Sequence, residues 1–182
     1  MKEINFFQKV MKLKETKRTG WTRYKKIAHP ESVADHSFGV SLLALIVPLP
    51  KGIDRDKLIK MAIVHEVGEA EIGDVVWERG NKTDKPKKDT KHISETKAIN
   101  LLFNDLDKDN LKELALEFGE QKTKIAKFLK ELDKLETVLQ AFEYEKITDP
   151  RDLEEFWENA RKYIQDPKLK EYFDKLFEQR TK

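Results

Sequence analysis

The stretch Lys122–Ile147, KTKIAKFLKELDKLETVLQAFEYEKI, decides the fold. Its apolar residues Ile125, Phe128, Leu129, Leu132, Leu135, Val138, Leu139 and Phe142 recur at helical spacing, so they line one face of a long α-helix. Upstream, Asp109 is placed to cap a short helix to about Phe118, and Ile93, Ala98, Leu101, Leu102 and Leu106 mark another from about Lys91. Gly73 to Asp89, rich in Gly, Lys and Asp, reads as a long loop. Before it, Asp54 caps a helix that carries Leu58, Met61, Ala62 and His65 on one face. Ser32, with Asp35 three residues on, caps a helix that stops at Pro48 and Pro50. Ile4, Phe7, Val10 and Met11 share a face of an N-terminal helix that ends before Arg18-Thr-Gly20. Asp149-Pro150 and Asp166-Pro167 each set a capping residue directly before Pro at the first helical position. No segment alternates with period two, so the expected fold is all-α, with about seven or eight helices.

The chain has 182 residues, with 36 Lys or Arg against 34 Asp or Glu, so 38% of it is charged while the formal charge is only +2. Without a cationic excess, binding to a nucleic-acid polymer is not expected. Hydrophobic residues at 38% suffice for one core, and residues 1–182 read as a single domain. Cysteine is absent, so a metal would have to be held by His and carboxylate. The longest apolar run, Val40 to Leu49, is broken by Ser41 and Pro48 and falls short of the ~20 residues of a membrane span. Met1-Lys-Glu-Ile-Asn5 lacks a signal-peptide pattern, so a cytoplasmic protein is expected. Abundant Lys and Glu with no Cys follow the composition trend of hot environments.

The histidines are His29, His36, His65 and His92. His29, before Pro30, reads as a loop residue, and no role for His92 follows from its spacing. His65-Glu66-Val67-Gly68-Glu69 closes an apolar helix, and helical geometry would set His65 and Glu69 on one face. The zinc-protease pattern H-E-x-x-H needs a histidine where Glu69 stands, so that reading fails at a ligand. Ala62, Ile63 and Val64 lead straight into His65, which points to a cleft-lining polar site. His36 sits among Val33, Ala34, Phe38 and Val40 and needs a partner, since an unsatisfied buried polar group costs about 1–3 kcal/mol. Asp133 interrupts the long apolar helix, where Glu131, Lys134 and Glu136 look like the surroundings of a solvated residue.

In order and separation, His36, His65-Glu66 and Asp133 resemble the HD-domain metal-dependent phosphohydrolases, in the branch of the 5'-deoxynucleotidases and oxetanocin-like proteins. The resemblance runs through Arg18-Thr-Gly-Trp21, Glu31-Ser-Val-Ala-Asp-His36-Ser and His65-Glu66-Val-Gly-Glu69-Ala-Glu-Ile-Gly-Asp74. It continues through Lys91-His92-Ile-Ser-Glu95, Asp133-Lys-Leu-Glu136 and Gln140-Ala-Phe-Glu-Tyr-Glu145, in the family's order over residues 18–145. It implies a single helical HD domain with His36, His65, Glu66 and Asp133 as metal ligands. Glu69 and Asp74 then match the acidic residues beyond the metal, and Arg18 and Trp21 the positions facing the substrate phosphate and nucleoside. The family's pattern has Asp directly after the second His, where this chain has Glu66 with its longer reach.

The activity so implied is a divalent-metal 5'-nucleotidase that releases phosphate from (deoxy)nucleoside 5'-monophosphates. Two imidazoles and two carboxylates suit one ion such as Mn, Co, Ni, Fe, Zn or Mg. A water on the metal would attack phosphorus, with its pKa lowered and phosphoryl charge offset by the ion. Glu69, or Asp74 in exchange, would handle protons. Arg18 would fork the phosphate and Trp21 would pack on the sugar or base. Lys82, Lys85, Lys87, Lys88 and Lys91 either draw phosphate in or are simply solvated. Trp77 and Trp157 read as core or interface. The C-terminal helices, residues 150–180 with Phe156, Tyr163, Tyr172, Phe173 and Phe177, pack on the domain or offer a self-association face. The resembling families are commonly dimers, so a homodimer is expected. Two alternatives stay open: an HD-type hydrolase of a triphosphate, cyclic nucleotide or guanosine alarmone, and a metal-binding protein weakened as a catalyst by Glu66.

Overall fold

The computed structural model describes residues 2–74, 85–104, 106 and 108–180, with 85–91 described by backbone alone. Helices run in the order α1 (Lys2–Val10), α2 (Thr19–Thr22), α3 (Val33–Ile46), α4 (Arg55–Val64), α5 (Glu69–Ile72), α6 (Lys85–Phe103), α7 (Asp109–Glu120), α8 (Lys124–Glu145), α9 (Glu154–Tyr163) and α10 (Pro167–Glu178). Short 3₁₀ turns at Met11–Lys14 and Pro150–Leu153 extend α1 and lead into α9. The fold is all-α. Among the described residues no strand forms, and the one isolated bridge pairs Lys17 with Ser32. No helix among them is long and apolar enough to cross a membrane.

The caps explain where helices start. Ser32 and Asp35 form a reciprocal capping box at the head of α3, in which each side chain accepts from the other's backbone N–H. Asp54, Thr123 and Asp166 accept from the first turns of α4, α8 and α10. Asp149 does the same for the turn at Pro150.

Three expectations are corrected. The helix expected from about Lys91 begins at Lys85, with Pro86 in its first turn, where a missing N–H leaves nothing unpaired. Asp109 opens α7 rather than capping it, and the helix closes at Gln121 in left-handed backbone, φ 54°. The third matters for function: α4 stops at Val64, and residues 65–68 form a tight turn before α5. Val67, Glu69, Ala70 and Glu71 donate to carbonyls three residues back, at 3.0–3.2 Å. At three residues per turn, Glu69 stands over Glu66 and not over His65. Gly68 lets this turn lie against α6, since a β-carbon there would meet Ile99 at 3.2 Å. Trp77 and Lys82 lie outside the described residues, as do the side chains of Lys85, Lys87, Lys88 and Lys91.

Helix α8 is the axis of the core. It buries Ile125, Phe128, Leu129, Leu132, Leu135, Val138 and Ala141 among α3, α4, α7, α9 and α10. The C-terminal aromatics are mostly core rather than a free face. Trp157 and Phe173 are buried, Phe156, Tyr172 and Phe177 pack against the core, and Tyr163 is exposed. Exposed apolar residues occur on several helices, among them Phe7 of α1 and Leu101 of α6, and on α3 they line up as a stripe of Phe38, Leu42, Leu45 and Ile46, with Ile63 of α4 also exposed.

Candidate metal centre

Three elements converge on one point. The capping box of α3 puts His36 in the second turn, the end of α4 supplies His65 and the turn after it Glu66, and α8 supplies Asp133. One donor atom from each of the four lies within 4.8 Å of every other. His36, His65 and Asp133 are buried, and Glu66 is half-buried.

The outer nitrogens of both rings are engaged elsewhere. His36 Nδ1 is hydrogen-bonded to a carboxylate oxygen of Glu136, and His65 Nδ1 donates to the Ala62 carbonyl at 2.7 Å. That turns both Nε2 atoms inward, toward the acids. His36 Nε2 lies 3.0 Å from Asp133 Oδ1, and His65 Nε2 lies 3.7 Å from Glu66 Oε1. Two buried ring nitrogens facing two carboxylates are a mixed donor set that fits a borderline divalent cation such as Mn, Fe, Co, Ni or Zn.

Side-chain cations surround the acids. Arg18 reaches Glu66 at 3.9 Å and both Asp133 and Glu31 at 4.0 Å. Lys130 Nζ lies 2.7 Å and Lys134 Nζ 3.5 Å from Asp133 Oδ2. Burial opposes ionisation of Asp133, but Lys130 and Lys134 hold its carboxyl well below the usual range. Burial likewise pushes Lys134 down to about 8, against the pull of Asp133. Burial would lower Arg18, yet Glu66, Asp133, Asp74 and Glu31 hold it above its ordinary value. The two histidines diverge: burial lowers His65, whereas Glu136 and Asp133 overcome burial and the nearby Arg18 to raise His36 to about 9. In the Glu66–Glu69 pair, burial and Glu66 raise Glu69 far above the carboxylate range, so Glu69 carries the shared proton. Burial resists ionisation of Glu66 too, but His65, the hydrogen bond from Glu69 and Arg18 drive its carboxyl low.

The structure therefore brings His36, His65, Glu66 and Asp133 together, with Glu69 beside Glu66 and Arg18 across from them. The remaining Glu69 oxygen, Oε2, is buried and unpaired. Asp74 is tied to the Arg18 segment: Thr19 N–H donates to Asp74 Oδ2 and Thr19 Oγ1 to the Asp74 carbonyl, both at 2.5 Å. Trp21 stands apart from the cleft, only 1% exposed. It stacks on Phe156 with ring centroids 4.0 Å apart, and its Nε1–H donates to Glu31 at 2.7 Å. His29 and His92 are exposed, and the His92 ring lies near Gly119 of α7.

Sequence reasoning missed Glu31, Lys130, Lys134 and Glu136. The surroundings that looked solvated around Asp133 are half-buried or buried, with Glu136 8% exposed and hydrogen-bonded to His36. The signal was there in the spacing: Lys130 and Glu136 lie one turn to either side of Asp133 on α8.

A family model described as the HD domain matches residues 10–176. The chain is 35% identical over 181 residues to the 5'-deoxynucleotidase hdd1 of Schizosaccharomyces pombe, covering 97% of this chain and 89% of that one. It is 32% identical over 183 residues to the 5'-deoxynucleotidase HDDC2 of Homo sapiens, covering 98% and 86%. Among solved structures, a conserved hypothetical protein from Pyrococcus furiosus superposes with a TM-score of 0.72 at 28% identity, covering 96% of this chain and 99% of that one.

Proposed function

The chain belongs to the HD-domain family, and from that premise we propose that it is a divalent-metal-dependent 5'-nucleotidase that releases phosphate from (deoxy)nucleoside 5'-monophosphates. The observation that carries the reading is the convergence of two buried imidazole nitrogens with two carboxylates, on a chain similar over nearly its whole length to 5'-deoxynucleotidases. His36, His65, Glu66 and Asp133 would hold the ion. When bound, such a cation supplies Lewis acidity: it makes water a better nucleophile and offsets charge on a phosphoryl oxygen.

The chain's own residues do the rest. Arg18 faces the acids with a planar fork that matches a phosphate, and its backbone is fixed by N–H donation to the Glu31 carbonyl at 3.0 Å. Glu69 moves protons, for the attacking water or the leaving 5'-oxygen, through the oxygen that has no other partner. Asp74 holds Thr19, and so Arg18, in register, and it remains a second proton carrier in this scheme. Trp21 acts from beneath, anchoring Glu31 rather than stacking on a base. Lys134 adds positive charge beside Asp133, 3.5 Å from its Oδ2. Lys130 and Lys134 are both already paired with Asp133, which favours a monophosphate over a substrate with more phosphate charge.

The reading carries with it a single domain over residues 1–182, a cytoplasmic location and an origin in a hot environment, in line with the Lys- and Glu-rich, Cys-free composition. It also carries self-association as a homodimer through the outward stripe of α3.

The test is phosphate release from a panel of nucleoside mono- and triphosphates with Mn, Co, Ni or Mg, beside elemental analysis of the purified protein. Release from deoxynucleoside monophosphates is expected. Release from triphosphates alone would point to another HD-type hydrolase. An ion bound without any release would mark a binding protein.

A further inference from the structure

We propose that Glu136 is a positioning residue for the centre: by accepting the Nδ1–H of His36 it fixes the ring rotation and tautomer that turn Nε2 toward Asp133, His65 and Glu66. The inference rests on the reading of those four residues as ligands. His36 is 0% exposed, so the bond that Glu136 makes to it is shielded from bulk water. Glu136 also lies one turn along α8 from Asp133, so one helix presents a ligand and holds a second ligand that comes from α3.

The opposite wall is different. The equivalent nitrogen of His65 donates to a neutral backbone carbonyl on its own helix. A carboxylate partner makes an imidazole a better donor to a cation and locks its orientation, which a carbonyl does more weakly. His36 is thus the stronger ligand of the pair.

Space for the Glu136 carboxylate comes from a missing side chain. A β-carbon on Gly39 would lie 2.7 Å from Glu136 Oε1 and 2.9 Å from its Cγ. Gly39 sits inside α3, where alanine is the better helix former, so the glycine answers to Glu136 and not to the helix. Behind Glu136 stands Glu31, one of whose oxygens lies within 4.8 Å of the facing atoms of His36 and Glu136. Trp21 Nε1–H donates to the Glu31 carboxylate, and the Glu31 backbone N–H donates to the Tyr144 hydroxyl at 2.8 Å, so Glu31 is held in turn. A buried line from Trp21 through Glu31 and Glu136 therefore ends on a ring nitrogen of His36.

The experiment measures the Mn(II) affinity of chelator-stripped protein and the visible spectrum of its Co(II) form, for wild type, Glu136→Gln, Gly39→Ala and the double variant. Each single variant is expected to bind Mn(II) about 10- to 100-fold more weakly and to shift the Co(II) bands. Gly39→Ala should add nothing in the Glu136→Gln background, because both act through one carboxylate. A folded Glu136→Gln protein with wild-type affinity and spectrum would reduce Glu136 to packing and overturn the proposal. Should Glu136→Gln fail to fold, Gly39→Ala keeps every charge and decides the matter in the same way. A wild-type chain that takes up no ion overturns the ligand reading itself, a result distinct from unchanged affinity in the variants.

Discussion

Two walls close on the centre, and they are built differently. One consists of α3 and α8, continuous helices capped by Ser32 and Thr123, which carry His36, Asp133 and Glu136 on backbones packed along their length. The other consists of the end of α4 and the turn into α5, where 3₁₀-type hydrogen bonds stack Glu66 and Glu69. A regular helix fixes a side chain by packing on both flanks but sets residues three apart about 60° off one another's line. The tighter turn brings two carboxyls into register so that they share a proton. The helical wall is suited to holding an ion, and the turn to joining a ligand to a proton carrier.

Substitutions on the two walls should therefore separate binding from turnover. Asp133→Asn has the largest expected effect. It removes a donor from the centre and leaves Lys130, Lys134 and Arg18 facing a neutral group, so metal content falls to background and activity with it. Loss of one member of a buried pair costs about 3–5 kcal/mol, readable as a lower urea midpoint. Glu69→Gln comes next: metal content stays at the wild-type level while kcat falls by about 10²–10⁴. Full turnover of Glu69→Gln with metal bound would remove its proton role. Equal metal loss in both variants would erase the distinction between the walls.

The two walls also differ in how much of them could be read in the sequence. On α8 every instruction is local: the apolar period, the Thr123 cap and the Asp133 interruption lie within one helix, so the long helix was expected close to where it forms. The capping box at Ser32 is equally local. The turn at residues 65–68 is not, because the contact that accompanies it is made by Gly68 against Ile99 on α6, across a long span of chain. Helical spacing consequently paired Glu69 with His65, where the folded chain pairs it with Glu66. Glu136 looked solvated for a similar reason: its partner His36 is 100 residues away, and the Gly39 that makes room for it shows its purpose only once α3 and α8 are packed.

A smaller effect tests whether the helical wall depends on its cap. Ser32 Oγ accepts the Asp35 N–H at 3.1 Å and donates to Asp35 Oδ2 at 2.7 Å, and Ser32→Ala removes both. A loss of about 1 kcal/mol is expected in urea unfolding. The Ser32 backbone N–H, which Ser32→Ala keeps, is the main cause that holds the Asp35 carboxyl below its usual value, and the Ser32 hydroxyl, which the variant loses, lowers it further. A carboxyl depressed in the folded state stabilises at pH values above its unfolded pKa and stops doing so as pH falls through the folded pKa. The gap between wild type and Ser32→Ala should accordingly be widest near neutrality and narrow in acid. A gap that widened on acidification would mean that the box is not what anchors α3.

The smallest change in stability is expected on the outer face of that same wall. Helix α3 buries Val33, Val40 and Ala44 completely on one side, yet Phe38 is 66% and Ile46 73% exposed on the other. A helix that is apolar all round is normally covered all round, and this one is half bare within a single chain. Phe38 and Ile46 are mostly exposed, so replacing them by Ser should move the monomer's unfolding free energy by no more than about 0.5 kcal/mol for each change. If a second copy covers the stripe, the sedimentation of the double variant should fall to that of a monomer, while wild type runs as a dimer. Covering α3 from both sides would also stiffen the helix that carries His36, so the monomeric variant should bind Mn(II) slightly more weakly at unchanged stability. A wild-type chain that sediments as a monomer would leave the helical wall to stand on its caps and on α8 alone.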